Sequence, residues 1–290
     1  MKNLFRNYLS ISLFALIVIV VACKKDESTP AVVKPDYQLA IEAKCKSLGW
    51  TEAADNGGTP IQTFAKKGWV QYYGAKNRAI YYFNGTAYSA LKNEMDKYDA
   101  TGQDNFSIIT ADYQTTNKGG GYIGIKLVAD NAYTGNSFPE GIIITSPGIG
   151  VFLVYGTIYK EYLRLGRWNS PLGFPINEVV NTPNTIRDKG YYEGFQNGTI
   201  WHSAFFNVGG ALWGKALKMF VAVDYERGWL GYPVESCNPN LTDNQKQSIG
   251  FEKGHILLND RTTGCGSYAN YLKTSYANVQ GKLVSNEPCY

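Results

Sequence analysis

Apolar residues recur along this chain on two beats, one short and one long. Ile158, Tyr162 and Leu165 stand at i, i+4 and i+7 with Gly166 behind them, and Ala216, Phe220 and Val223 repeat that spacing 58 residues on. Ile41, Cys45 and Leu48 before Gly49 carry it near the start. Ala87, Leu91, Met95 and Tyr98 give a version one turn longer, and Tyr268 with Leu272 begin a partial fifth. Such spacing places the apolar side chains on one stripe of a short helix, and the glycine supplies its stop.

Behind each helical stripe comes a turn and then a strand pattern. Leu172-Gly173-Phe174-Pro175 returns as Leu230-Gly231-Tyr232-Pro233, 58 residues later. Phe195 to Gly198 returns as Phe251 to Gly254, is preceded by Phe138 to Gly141, and has a looser copy at Phe64 to Gly68. Two positions after each final glycine stand Val70, Ile143, Ile200 and Ile256, β-branched as a strand facing a core requires. Each unit therefore reads as a short helix, a Gly/Pro turn and a β-hairpin. The expected fold is mainly β with short helices, in four tandem units plus the partial fifth over residues 37–276, with residues 277–290 as a closing segment. One such unit buries too little apolar surface to stand alone, so neighbours must stack. Closure into a ring removes exposed sheet edges, and an open solenoid is the alternative.

These motifs resemble the LGFP repeat family, most specifically over residues 141–256. The resemblance implies repeats set around an axis like the blades of a small propeller. It also implies a non-catalytic role in holding proteins to bacterial cell envelopes through glycans. The first half departs from the pattern: residues 106–112 hold the place of the turn without its glycine or proline.

Ahead of the repeats, Lys2 and Arg6 precede an apolar run from Ile11 to Ala22, broken only by Ser12. That is the layout of a secretory signal. The run is about half the ~20 apolar residues that a membrane-crossing helix needs. Val20-Val21-Ala22-Cys23 resembles the bacterial lipobox, which implies cleavage after residue 22 and lipid on Cys23. Two or more acyl chains anchor stably, at ~0.8 kcal/mol per buried methylene. Lys24 to Glu27 resembles the charged flank of Bacteroidetes lipoproteins. Residues 23–36, with Pro30 and Pro35, read as the lipidated cysteine and a solvated spacer. The expected location is the outer membrane, facing the cell surface or the periplasm.

Charge adds an exclusion. Without residues 1–22 the chain keeps 26 of its 28 Lys and Arg against 24 Asp and Glu, about +2, with no basic block. It lacks the footprint of a nucleic-acid binder. Beyond Cys23 four cysteines remain, an even number that in an oxidising compartment suggests two disulfides with three connectivities. The preferred pairing is Cys237 with Cys265, leaving Cys45 for Cys289. So long a closed loop contributes ~4 kcal/mol on the chain-entropy model. The absence of a C-x-x-C pair and a supply of only two histidines, His202 and His255, argue against zinc.

No nucleophile elbow, P-loop, dinucleotide fingerprint or H-E-x-x-H helix occurs. Gly119-Gly120-Gly121 reads as a flexible turn, and the two histidines as hairpin side chains. Glu178 and Glu235 follow the two Gly/Pro turns and are expected to accept hydrogen bonds from backbone donors there. Aromatics are the strongest candidates for binding: 22 Tyr and 6 Trp can stack on sugar rings while their polar edges hydrogen-bond. Trp69, Trp168, Trp201 and Trp229 are the candidate platforms, with Arg167 beside Trp168 and Arg227 near Trp229. The expectation is a glycan- or cell-wall-polysaccharide-binding module, needing no cofactor, whose successive units each supply a weak site. A protein-interaction scaffold for another envelope protein is the second reading, and a glycan-acting enzyme the third.

Overall fold

The computed structural model describes residues 33–63, 68–100, 107–127, 140–182, 190–203, 207–242, 245–258 and 281–285. The signal segment, Cys23, Cys265, Cys289 and the partial fifth copy at Tyr268 and Leu272 lie outside the described residues.

Four antiparallel meanders follow one another, each led by a helix. In the first unit α1 (Asp36–Ser47) precedes β1 (Ile61–Gln62), β2 (Trp69–Tyr73), β3 (Arg78–Phe83) and β4 (Thr86–Leu91). In the second, α2 (Lys92–Ala100) precedes β5 (Ser107–Ile109), β6 (Gln114–Thr115), β7 (Gly121–Leu127), β8 (Glu140–Ser146) and β9 (Gly150–Tyr155). The third has α3 (Gly156–Leu165), β10 (Val180–Asn181), β11 (Tyr191–Phe195), β12 (Gly198–Ser203) and β13 (Val208–Trp213). The fourth has α4 (Gly214–Ala222), β14 (Gln247–Phe251), β15 (Gly254–Leu258) and β16 (Gly281–Ser285). Strands pair in chain order within each sheet, except that β5 and β6 both pair with β7. The fold is thus mainly β with short helices, and Tyr37–Tyr290 form one compact unit.

A shared register makes the units comparable. The middle of each sheet holds one cross-strand pair: Gln71 with Ile80, Ile123 with Ile143, Glu193 with Ile200, and Ile249 with Ile256. All four isoleucines on the right of these pairs are fully buried. This corrects the expected phase of the first unit. Val70 lies one strand early, in β2, and Ile80 holds the place of Ile143, Ile200 and Ile256. Ala87 and Leu91 likewise belong to β4 rather than to a longer helix. In place of the missing Gly/Pro turn in the second unit, β5 pairs Ile109 with Ile125, where Pro175 bridges Phe195 and Pro233 bridges Phe251.

Each of the last three helices is packed on both sides. α2 lies against β3 and β4 of the first sheet and β8 and β9 of the second; α3 against β8, β9, β12 and β13; α4 against β12, β13 and β15. One aromatic per helix plugs this seam. Tyr98 meets Tyr81 edge-on at 5.6 Å, Tyr162 lies 4.7 Å from Phe195, and Phe220 sits between Trp201 at 5.1 Å and Phe251 at 5.0 Å. All three plugs are fully buried, each contributing about 1.5–3 kcal/mol of apolar transfer energy.

The Gly/Pro turns add a second joint. A Cβ on Gly120 would stand 2.9 Å from the Phe174 ring, and one on Gly190 would stand 2.4 Å from that of Tyr232. Each turn aromatic therefore docks on a bare glycine of the sheet before it. Gly119 has φ +87 and Gly121 opens β7, so the triple glycine is a packing device rather than a flexible turn.

Candidate functional site

The four expected tryptophan platforms are mostly committed to packing. Trp201 is 2% exposed, against the Phe220 plug. Trp168 is 8% exposed, and its indole N–H donates to Asn117 Oδ1 at 3.0 Å. Trp229 is half-buried against the main core. Trp69 is half-buried with Tyr37 stacked 3.9 Å over it. Arg167 packs among Tyr122, Tyr159 and Trp168, 5.3 to 5.8 Å from their ring centres. Its Nη2 donates to the Tyr159 hydroxyl. Trp168 and Trp201 are thus buried in the seams, whereas Trp69 and Trp229 keep partial exposure.

The two expected turn carboxylates divide. Glu235 Oε2 accepts from Gly250 N at 2.8 Å, as expected, but in the third unit Asn177 Oδ1 takes that role toward Gly194 N at 2.7 Å. Glu178 reaches out to Lys97 Nζ at 2.5 Å. His202 is buried in the third sheet and stacked on Tyr191, and burial pushes its pKa down. His255 Nδ1 lies 3.4 Å from Ser248 Oγ. The remaining turn residues, Leu172, Gly173, Leu230, Gly231, Gly198 and Gly254, serve packing: Leu172 and Leu230 are fully buried. Cys237 is buried in the main core. Among the described residues no disulfide is present, and the partners expected for Cys45 and Cys237 fall outside them. Nor is any group of three or more His, Cys, Asp or Glu side chains among the described residues placed to hold a metal ion.

A cleft among the described residues lies elsewhere, between α1 and the first sheet. Its origin is one residue. Cys45 stands four positions before the left-handed Gly49, as Tyr162 stands before Gly166 and Phe220 before the left-handed Asp224. Where three units carry an aromatic plug, the first carries a thiol. The core there is correspondingly thin, with Ile41, Tyr73 and Ile80 as its buried members. A space of about 490 Å³ remains, within the range of small-molecule sites.

Trp50 and Tyr73 form its aromatic wall, edge to face at 5.5 Å. Arg78 lies 4.9 Å over the Trp50 ring and is ion-paired to Glu52 at 2.5 Å, which stiffens that side. Hydrogen bonds from its own backbone N–H and then from Arg78 hold the Glu52 carboxyl below the usual range, so it is ionised at neutral pH. Glu42, also on the wall, accepts from Gln38 Nε2 at 3.2 Å. Burial first, then Cys45 and the charges of Glu42 and Glu52, push the Tyr73 hydroxyl well above its ordinary pKa, so it remains a donor.

Gln71 is the deciding side chain. Its Nε2 donates to Asp55 O at 2.8 Å and Tyr72 O at 3.0 Å. Gln71 is among the residues that line the cleft, and its Oε1 is buried with no hydrogen-bond partner among the described residues. An unsatisfied buried carbonyl costs about 1–3 kcal/mol, which an incoming donor recovers. No protein-family model matches this chain, and no curated protein matches it either. The LGFP resemblance therefore rests on the motifs alone.

In the second to fourth units Tyr98, Tyr162 and Phe220 occupy the helix position that Cys45 holds in the first. Sequence reading missed Trp50, Gln71 and Tyr73. The signal was present in the thiol at the plug position and the amide at a position that reads isoleucine in two other units, but the first unit had been phased one strand early.

Proposed function

We propose that the chain is a lipid-anchored cell-envelope module, held at a membrane surface through Cys23, that binds glycan in the cleft of its first unit. The reading rests on one observation above the rest: a cleft of about 490 Å³ is lined by Trp50, Tyr73 and Gln71, a buried amide whose Oε1 has no hydrogen-bond partner among the described residues. The apolar face of a sugar ring suits the aromatic wall. The helix-and-meander units form a small propeller-like ring in this proposal, serving as a rigid body rather than as a row of sites. Avidity then comes from many anchored copies on one surface, not from many clefts on one copy.

Binding is preferred to catalysis on the state of Glu52. Glu52 is fixed in its ionised form by Arg78 and a backbone N–H, which suits an acceptor and disqualifies it as a general acid. A protein-interaction scaffold would favour a contiguous apolar surface. The large exposed apolar side chains, such as Leu39, Ile61, Leu163 and Val221, are instead spread over α1, β1, α3 and α4.

The test uses the full chain, purified in detergent, on an array of envelope and host polysaccharides. Wild type is compared with Cys45→Phe in reducing buffer. Binding by wild type and its loss in the filled-cleft variant is the expected result; equal binding by both rules out this cleft. Metabolic labelling with a palmitate analogue tests the anchor, and label retained in Cys23→Ala removes Cys23 from the account.

A further inference from the structure

We infer that Arg167 and Lys118 form an anion-binding site on the seam between the second and third units, and that it takes the carboxylate or sulfate group of an acidic glycan. The site lies apart from the first-unit cleft and does not depend on it. Among the described arginines Arg78, Arg164 and Arg227 each have a carboxylate at 2.5 to 2.7 Å, and Arg167 alone has none. Its neighbours are the rings of Tyr122, Tyr159 and Trp168. Nη2 gives one N–H to the Tyr159 hydroxyl at 3.2 Å. Nε is buried without a partner, whereas Nη1, also without one among the described residues, is not buried and stays open to a ligand. A half-buried guanidinium ordinarily has a counter-ion, and its planar fork matches a carboxylate or sulfate.

Lys118 adds a second cation beside the same tryptophan. Its side chain is exposed, and Nζ donates to Trp168 O at 2.9 Å, with no carboxylate partner among the described residues. One positive charge thus lies by the Trp168 ring and the other on its carbonyl. The acid whose charge reaches this cluster is Glu140, through its effect on Tyr159. It is exposed and stands opposite Lys126 in the β7–β8 ladder, so it leaves the patch positive. The nearest acid of α3, Glu161, is held by two hydrogen bonds from Arg164. Tyr122, half-buried 5.0 Å from the Trp168 ring, adds an aromatic flank of the kind sugars pack against, which favours a glycan over a bare ion or a lipid phosphate.

The repeat itself separates folding need from ligand need. The position after the left-handed residue that follows each helix holds Trp50 in the first unit, Arg167 in the third and Tyr225 in the fourth. Arg167 and Tyr225 share the same left-handed backbone, at φ +56 and +53. Tyr225 packs edge-on against the Phe220 plug at 6.1 Å, a purely structural use of the place. Folding of a unit therefore asks for a flat side chain there and does not ask for a charge.

The test is titration calorimetry on the full chain in detergent, with trigalacturonate and a chondroitin sulfate disaccharide as probes. Inorganic sulfate and a short-chain phosphatidylglycerol are the arms for a free ion and a lipid headgroup. At least one acidic sugar is expected to bind, and more weakly as salt rises from about 0.05 to 0.5 M. Arg167→Tyr, which installs the fourth unit's residue, is expected to weaken that binding by about tenfold or more while the melting temperature holds, because hydrogen bonds from a charged donor are lost. Lys118→Ala, on an exposed side chain, is expected to weaken it by about twofold to fivefold and is the second variant should Arg167→Tyr fold poorly. Acidic-sugar binding that ignores both variants, or no binding of either probe, overturns the site. Sulfate or the lipid bound as tightly as the sugars overturns the glycan assignment. Loss of acidic-sugar binding in Cys45→Phe places the anion in the first-unit cleft and overturns a separate site. Neutral polysaccharides that ignore the cleft, with trigalacturonate still held through Arg167, sink the cleft reading and leave this inference standing.

Discussion

Glu193 tests the repeat logic most directly. It occupies the central β11 position opposite Ile200, fully buried, and neither carboxyl oxygen has a hydrogen-bond partner among the described residues. Burial, and then the charge of Glu178, push its pKa well above the ordinary range. Glu193→Ile installs the residue that two other units already carry against the same partner, so the seam accepts the shape. Removing an unsatisfied buried polar group returns about 1–3 kcal/mol, and the added methyl groups contribute about 0.8 kcal/mol per buried carbon. A net gain of about 2–4 kcal/mol follows while the carboxyl is protonated, or roughly 4–16 °C in melting temperature for a domain of this size, and the proton-linkage cost of the buried acid adds to it at pH 7. The pH dependence has a definite sign. A folded-state pKa above the unfolded one means that the native state holds the proton more tightly. Wild-type stability is then full below about pH 4.3 and falls as pH rises toward the folded pKa. The advantage of Glu193→Ile should accordingly be smallest at pH 4.5 and grow toward pH 8.5. Calorimetric melting of both proteins across that range measures it. A destabilised variant at pH 7, or a gain that does not change with pH, refutes the assignment of Glu193 as an unpaired buried acid.

Further outcomes follow from the same geometry. Glu94, fully buried at the start of α2 with Thr145 Oγ1 donating to it at 3.0 Å, has its pKa raised by burial from 4.5 to about 8. Wild-type stability should therefore fall between pH 4.5 and 8 by up to ~5 kcal/mol, at about 1.4 kcal/mol per pH unit. Glu94→Gln should flatten that slope in urea titrations. Gly231→Ala places a Cβ 2.4 Å from Glu252 Oε2 at φ +69, whereas Gly49→Ala meets nothing within 4 Å at φ +65. Both pay a left-handed backbone cost of about 1–2 kcal/mol, and Gly231→Ala should lose more in melting temperature. Phe220→Ala removes the plug between the third and fourth sheets and should cost about 3–5 kcal/mol by denaturant unfolding.

The helices and hairpins of the third and fourth units were legible because their glycines and prolines punctuate the chain at a fixed beat. Gly156 and Gly214, at φ +63 and +57, each turn a strand directly into a helix, and the fourth unit keeps the third unit's spacing almost residue for residue. The two-residue strands β1, β6 and β10 were not legible. They are too short to show alternation, and what marks them is a backbone bond from the next threonine: Thr63 N to Gly68 O, Thr116 N to Gly120 O and Thr182 N to Gly190 O. The first unit was misphased because Phe64 to Gly68 imitates the hairpin motif one strand early. In the genuine position the chain turns through Gly74 to Asn77 instead. The burial of Trp168 and Trp201 was hidden for a different reason. Large aromatics stabilise a seam and a sugar face by the same physics, and local spacing does not distinguish the two destinations. What the pattern did contain, once aligned, was the pair of exceptions that make the cleft, a thiol in place of a ring and an amide in place of an isoleucine.

β16 carries a consequence for how the molecule is made. Residues 281–285 pair with β15 from Gly254 to Leu258, so the outer rung of the fourth sheet is contributed by chain more than twenty residues downstream. Synthesis proceeds from the N-terminus, and the earlier sheets can therefore complete their ladders while this one waits with an open edge. A nascent chain truncated before residue 281 would display that edge to any neighbour. Residues 281–285 thus act as a latch on the fourth sheet, and their deletion should favour aggregation well out of proportion to their number.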